Sequence, residues 1–294
     1  MKKVIAVLGP TAVGKTKISI MLAKHYNLDI ISGDSVSVYK GLDIGSAKPT
    51  LDEMDNVKHY LIDIRNPLDT YSVCDFQTDA RKIIDKNELS LICGGTGLYI
   101  KACLCNYEFD DKKRDLSFED KYKDLSNEQL YELLLKLDNN IDKEKLHPNN
   151  RKRVLRALEV KLNTNKSIHL NNKKDEYIYD YYIVYLSMDR VKLYDRINKR
   201  VDKMIEDGLI EEVKNLYDKG IYPHAIGYQE FIPYFKGECT LDSAIDEIKK
   251  NTRHLAKRQE TWFKNQMNSH FYEVNLDDIE NTYNKIVKDI DEWL

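Results

Sequence analysis

The octapeptide GPTAVGKT at residues 9–16, entered from the apolar run VIAVL, restricts what this chain can fold into more than any other feature. Glycines at the first and sixth positions followed by Lys-Thr give the spacing of a loop whose backbone amides wrap phosphate oxygens. Such a loop works where a buried strand delivers the chain to it and a helix starts from it. The helix's unpaired amides and its dipole then face the anion. The flanking residues meet that demand. Val4 to Leu8 is continuously apolar, as in a strand covered on both faces, and Lys17 to Tyr26 places Ile18, Met21 and Leu22 on one helical side. The loop therefore predicts a site for two adjacent phosphates formed by Gly9, Pro10, Thr11, Ala12, Val13, Gly14, Lys15 and Thr16. Lys15 supplies a point charge and the Thr16 hydroxyl a ligand for Mg²⁺ alongside the phosphates. The motif does not say whether a phosphoryl group is transferred or released.

Leu28 to Ser32 reads as a second strand, ending at Gly33 and Asp34, and Leu89 to Cys93 as another, ending in GGTG. Strand, loop, helix, strand is how a parallel sheet with right-handed crossovers begins. The expected fold class is α/β, a P-loop NTPase-like parallel sheet core flanked by helices, with a helical insertion. The insertion is expected at residues 110–175, where the sequence becomes charged and takes on helical leucine spacing in DLSNEQLYELLLKL and NNRKRVLRALEVKL. The core is expected at 1–109 and 176–294. SNEQ at 126–129 has the form of a capping box, and Asn163 to Lys174 that of an exposed connection. YIYDYYIVYL at 177–186 returns to strand-like residues, followed by helical spacing up to Gly220 and again in SAIDEIKKNTRHLAKRQETWFKNQ.

Composition bounds the partners. Of 294 residues, 42% are hydrophobic and 32% charged, which suits a globular chain, and the net charge of −3 excludes binding to nucleic acid by bulk charge alone. Any such contact must come from local basic patches. The apolar run after the first lysines is too short for a signal peptide, and no stretch is long enough to span a membrane. The cysteines, Cys74, Cys93, Cys103, Cys105 and Cys239, are odd in number and form no CxxC pair, which predicts reduced thiols in a cytoplasmic protein and no zinc site.

Two further stretches bear on chemistry. Asp34, in GDSVSVY, follows the second strand, at the sheet edge that faces the ligand crevice in open α/β folds. It is equally a residue that caps a helix or turn, and near phosphates it could bind Mg²⁺, hold a ribose or take a proton. GGTGLYI, at 94–100, lets backbone approach a ligand closely or makes a plain turn. Three loops at one sheet edge favour a shared site.

GPTAVGKT, DSVSVYKGLDIGSAKP, HYLIDIRNPLDTYSVCDFQTDA, GGTGLYI, NNRKRVLRALEV, IGYQEF and AKRQETWF together, in this order and spacing, resemble the bacterial tRNA dimethylallyltransferase (tRNA isopentenyltransferase) family over nearly the whole chain. DIGSAKP with AKRQ-x-TWF is far more specific than the phosphate loop, which many kinases share. The resemblance implies transfer of a dimethylallyl group from dimethylallyl diphosphate to N6 of the adenosine 3′-adjacent to the anticodon, in tRNAs reading codons that start with U. It implies Asp34 as the base, Thr96 against the target adenine and Arg200 on the diphosphate, with Mg²⁺ as cofactor. It implies tRNA contacts from Asp34, Ser35, Val36 and Ser37, from Thr96, and from Lys152, Arg153, Val154, Leu155 and Arg156 of a segment gripping the anticodon stem-loop. A cytoplasmic monomer is expected.

Arg253, Lys257, Arg258 and Lys264 form a second basic face, beside Trp262 and Phe263, whose expected role is core packing rather than base stacking. Ser37 stands where the family commonly has Gln, Tyr60 where a second His is common, and Asn150 for a frequent Asp. The zinc-finger tail of eukaryotic relatives has no counterpart in these residues. Competing readings are a P-loop small-molecule kinase, an adenylate isopentenyltransferase using a free nucleotide, and a nucleotide-gated RNA-binding module that needs no base.

Overall fold

The computed structural model describes residues 1–107, 109, 116–144, 146–167 and 175–294. They divide into two compact units, Met1–Leu104 with Ile178–Leu294 and Cys105–Tyr177.

The larger unit begins with β1 (Lys3–Leu8), the phosphate-loop candidate and α1 (Lys15–Tyr26), and continues with β2 (Ile30–Ser32), α2 (Leu51–Met54), β3 (His59–Tyr60), α3 (Val73–Ile84), β4 (Leu89–Gly94) and α4 (Gly97–Leu104). The smaller unit contains α5 (Asn127–Leu137) and α6 (Arg151–Thr164). The chain then returns with β5 (Asp180–Ser187), α7 (Arg190–Glu206), α8 (Leu209–Asp218), α9 (Phe231–Phe235), α10 (Leu241–Gln266), β6 (His270–Glu273) and α11 (Ile279–Trp293).

The strands form one parallel sheet in the order β3-β2-β4-β1-β5-β6. β1 lies at its middle, so Val4 to Leu8 is fully buried, as its unbroken apolar run demands. Ile5, Val7, Ile18, Leu22, Val184, Leu186, Ile286 and Ile290 share one core cluster. A second, of Val201, Leu209, Val213, Tyr228, Phe231 and Ile248, knits α7 to α10 together. No helix among the described residues is long and apolar enough to cross a membrane.

Register decides where function can sit. Leu8 pairs with Gly94, and Ser32 with Cys93, so β1, β2 and β4 all end on the same edge. Their loops at 9–14, 33–37 and 94–97 leave side by side.

Some boundaries differ from the sequence reading. The second strand starts at Ile30 rather than Leu28, because Asn27 is left-handed (φ 51°) and the Leu28 amide still caps α1 at the Ala23 carbonyl. The helical run toward Gly220 is broken at Gly208, whose φ of 101° strongly favours glycine, giving α7 and α8.

In the smaller unit the capping box forms: Gln129 N–H donates to Ser126 Oγ at 3.2 Å, and Ser126 N–H to Gln129 Oε1 at 2.9 Å. α5 and α6 pack through Leu130, Leu134, Val154, Leu155 and Leu158. The proposed connection at 163–174 falls outside the described residues from 168 onward.

Candidate active site

The loop between β1 and α1 is built by its glycines and tied down by cations. Gly9 has φ 151°, and a side chain there would meet the Leu186 carbonyl oxygen at 2.6 Å, so glycine is required where β5 passes. Lys15 Nζ donates to the Gly9 carbonyl at 3.0 Å and to Pro10 at 2.8 Å. Desolvation within the loop lowers the Lys15 pKa to about 8, with Arg200 adding to the fall and Cys93 and Asp34 opposing it. Thr16 is the second residue of α1, and its hydroxyl has no hydrogen-bond partner among the described residues.

α7 lays two arginines along this loop, one turn apart. Arg196 Nε donates to the Ala12 carbonyl at 2.9 Å, and Arg200 Nη1 to Thr11 Oγ1 at 3.1 Å. Arg200 Nη2 reaches the Ala47 carbonyl at 3.4 Å. Burial pulls the Arg200 pKa down while Asp34 raises it, so this guanidinium and that carboxylate feel one another. Arg200 is thus not the solvated helix position that composition alone suggests.

Asp34 serves in a turn and keeps a free oxygen. Its Oδ1 accepts from Val36 N–H at 2.8 Å and Ser37 N–H at 3.3 Å, an Asx turn. Its Oδ2 has no hydrogen-bond partner among the described residues. Ser35 N–H donates to Thr96 Oγ1 at 3.1 Å, and the Thr96 hydroxyl donates to Ser35 Oγ at 3.3 Å. Thr96 N–H in turn donates to the Gly33 carbonyl at 3.3 Å. Asp34 and Thr96, far apart in sequence, therefore stand on loops bonded to each other. Ser37 is 4% exposed, so its side chain is buried beneath this turn.

Of the α6 candidates, Lys152 and Arg153 are exposed. Val154 and Leu155 are not: they are 0% and 2% exposed and belong to the smaller unit's core. The helical period puts apolar residues of RKRVLRAL inward, so these two side chains are corrected from candidate RNA contacts to packing residues. Arg156 is half-buried and bonded to the buried Glu159 carboxylate at 2.8 Å. On α10, Phe263 is fully buried against Tyr185, with ring centroids 5.6 Å apart. Arg253 donates to Asn198 at 2.6 Å and Lys264 to Glu260 at 2.7 Å, while Lys257 and Arg258 are exposed.

Two residues absent from the sequence reading organise this edge. Glu212 of α8 accepts the amides of Asp43, Ile44 and Gly45, at 3.1, 2.8 and 3.1 Å, and the Tyr228 hydroxyl at 2.7 Å. It thereby fixes the DIGSAKP loop that carries Ala47. Gln259 of α10 joins the loops after β1 and β4. Nothing local marks Glu212, whereas Gln259 lies within the AKRQ signature.

A family model described as IPP transferase matches residues 37–266. The chain belongs to the IPP transferase family. It is 45% identical to a tRNA dimethylallyltransferase of Anoxybacillus flavithermus, over 95% of this chain and 92% of that protein. It is 44% identical to one of Enterococcus faecalis, over 100% and 98%. Among solved structures, a tRNA isopentenylpyrophosphate transferase of Staphylococcus epidermidis superposes with a TM-score of 0.74 at 39% identity, covering all of both chains. A eukaryotic dimethylallyltransferase acting on tRNA gives a TM-score of 0.85 at 27% identity, over 98% of this chain and 78% of that one. Membership of the IPP transferase family gives the three-loop edge a context that a phosphate loop by itself lacks, and it sets aside the reading as a small-molecule kinase.

Proposed function

We propose that this chain transfers a dimethylallyl group from dimethylallyl diphosphate to N6 of the adenosine 3′-adjacent to the anticodon in tRNAs reading codons that start with U, releasing diphosphate. The observation that carries the reading is the shared edge. A phosphate loop lined by Lys15 and Arg200 adjoins a carboxylate, Asp34, that has an oxygen to spare. The family assignment supplies the substrate class.

The chemistry asks for both halves. An exocyclic adenine amine is a poor nucleophile, because its lone pair is delocalised into the ring, and it needs a base within hydrogen-bond reach. Asp34 Oδ2 takes the N6 proton as the N6–carbon bond forms. The allylic C–O bond breaks with its electron pair moving to the diphosphate, which leaves with the extra negative charge. Lys15, Arg200 and the amides at the start of α1 stabilise that charge where it develops. The loop thus grips a leaving group, and no phosphoryl group is transferred. Thr96 lies against the target base from the neighbouring turn.

Mg²⁺ fits this donor set. The Thr16 hydroxyl is available at the helix start, and Mg²⁺ is bound through few protein groups plus substrate phosphates. Among the described residues, no cluster of three or more His, Cys, Asp or Glu side chains could hold a metal alone, so the diphosphate would supply the other ligands. When bound there, Mg²⁺ neutralises charge on the departing diphosphate.

The target base must leave the anticodon stack to be reached, at a cost of a few kcal/mol, so protein contacts to the surrounding RNA are required. Lys152 and Arg153 of the smaller unit, with Ser35 and the backbone of Val36 in the larger, are the contacts proposed to hold the anticodon stem-loop. A free-nucleotide acceptor would have less use for such contacts. The protein is expected to act as a cytoplasmic monomer. The deciding experiment incubates it with Mg²⁺, unmodified tRNA and either dimethylallyl diphosphate or ATP, and weighs the tRNA by mass spectrometry. A gain of one five-carbon unit with dimethylallyl diphosphate alone is expected. No gain there, or a phosphorylated product with ATP, would overturn the reading.

A further inference from the structure

We infer that Gln259 is a positioning residue that sets Thr96 and the donor loop in one register, through two hydrogen bonds from a single side-chain amide. The inference rests on the reading of this edge as a prenyl-transfer site. Gln259 Oε1 accepts the Thr11 N–H at 3.0 Å, and Nε2 donates to the Gly95 carbonyl at 3.0 Å. The two loops it joins come from β1 and β4 and carry different halves of the site. Thr11 also receives Arg200 through its hydroxyl, so its amide and its side chain are both held by neighbours. Gly95 precedes Thr96, whose hydroxyl accepts the Ser35 amide next to Asp34.

The same face of α10 holds the other side of the turn. Trp262, three residues on from Gln259 and so on the same helical face, lies against Gly97. A Cβ at Gly97 would come within 2.2 Å of the Trp262 ring, so the turn is seated on the indole. Thr96 is therefore gripped at Gly95 by a hydrogen bond and at Gly97 by a close ring contact. Because the amide has one acceptor and one donor end, Gln is the residue type that satisfies an N–H and a carbonyl together. A Glu would accept from Thr11 but set a carboxylate against the Gly95 carbonyl. A Met would keep the shape and offer neither bond. The AKRQ-x-TWF spacing thus carries a geometric task in addition to its basic residues: Gln259 and Trp262 fix the turn, and Thr96 and Asp34 inherit their placement. Misplacement of reacting groups by about 1 Å can cost on the order of a hundredfold in rate, so such a strut is felt in turnover before it is felt in binding.

The test is single-turnover prenyl transfer to unmodified tRNA by the wild type and by Gln259→Met, Gln259→Glu, Thr96→Ala and the Gln259→Met/Thr96→Ala pair. Donor affinity is measured alongside by calorimetry with a non-hydrolysable thiolodiphosphate analogue, and folding by thermal melts. Gln259→Met is expected to lower the chemical rate by roughly tenfold or more, with analogue affinity changed less than about threefold. Gln259→Glu is expected to fare no better, since it keeps only one of the two bonds. The double variant is expected to lose clearly less than the product of the two single losses, because Gln259 acts in large part through Thr96. Gly97→Ala, which pushes the same turn off Trp262, is expected to reproduce the rate loss. Multiplicative losses in the double variant, or a Gln259→Met enzyme that melts earlier but turns over at the wild-type rate, would overturn the inference. An inactive wild type would overturn the prenyl-transfer reading itself, which is a separate failure.

Discussion

Lys15 and Arg200 in the larger unit, and Lys152 and Arg153 in the smaller, are the same kinds of side chain in opposite surroundings. The first pair is desolvated, has lowered pKa values and is aimed by backbone carbonyls and Thr11. The second pair lies exposed on a helix whose other face is a leucine-rich core. A desolvated cation acts at one place with full Coulomb strength, whereas an exposed one acts over a Debye length and is screened by salt. On the proposed function, positive charge has two separate uses in this chain: stabilising a leaving group at an atom's precision, and holding a polyanion loosely in register.

Substitutions can break the comparison on either side. Asp34→Asn, which removes the proposed proton acceptor beside the desolvated cations, is expected to cost about 10²- to 10⁴-fold in single-turnover rate while filter-binding affinity for tRNA stays near wild type. A near-normal rate would remove Asp34 as the base. Arg200→Ala is expected to lower kcat/KM for the donor by about 10²- to 10³-fold. Arg200→Lys should recover only part, since an ammonium cannot span Thr11 and Ala47 as a fork. Full recovery would mean that charge alone matters there.

On the exposed side, Lys152→Ala with Arg153→Ala is expected to reduce the slope of log Kd for tRNA against log salt by about 1.4 to 1.8, with the chemical step unaltered once tRNA is saturating. An unchanged slope would show that this face of α6 does not meet RNA.

The smallest effect expected is on pH. Lys15 is charged below about 8 and loses its proton as pH rises past that value, so kcat/KM for the donor should decline severalfold from pH 7.5 to 9, as initial rates at subsaturating donor would report. Lys15→Arg should remove that limb, because a guanidinium stays charged across the range.

Much of this site was legible from residues alone, and the reasons differ by element. The phosphate loop was legible because its function requires a strand, glycines and a helix start in unbroken sequence. The Ser126 cap was legible because both partners lie within one turn. Arg200 was not: as a residue on an amphipathic helix it reads as solvated, and only the approach of α7 to Thr11 brings it to the phosphate-loop candidate. Val154 and Leu155 show the reverse error. A basic segment was read as one contact unit, yet the helical period of about 3.6 residues turns Val154, Leu155, Ala157 and Leu158 inward.

Glu212 and Gln259 mark the limit of reading along the chain. Each satisfies backbone groups far away in sequence, and hydrogen bonds to backbone carry no trace in the identity of the residues they serve.

What the sequence determined by itself was the set of local structures with local causes: the glycine turn at 9–16, the buried character of β1, and a helical segment distinct from the α/β core. Those follow from short-range sterics and hydrophobic period, which each residue carries with it. Which loops meet was decided only by tertiary structure. The parallel order β3-β2-β4-β1-β5-β6 brings three loop ends to one edge, and α7 and α10 then cross that edge to fix Thr11 and Gly95. Strand order is set by nonlocal packing of whole faces, a property of no single stretch, and so the site's geometry exists only once the sheet has closed around it.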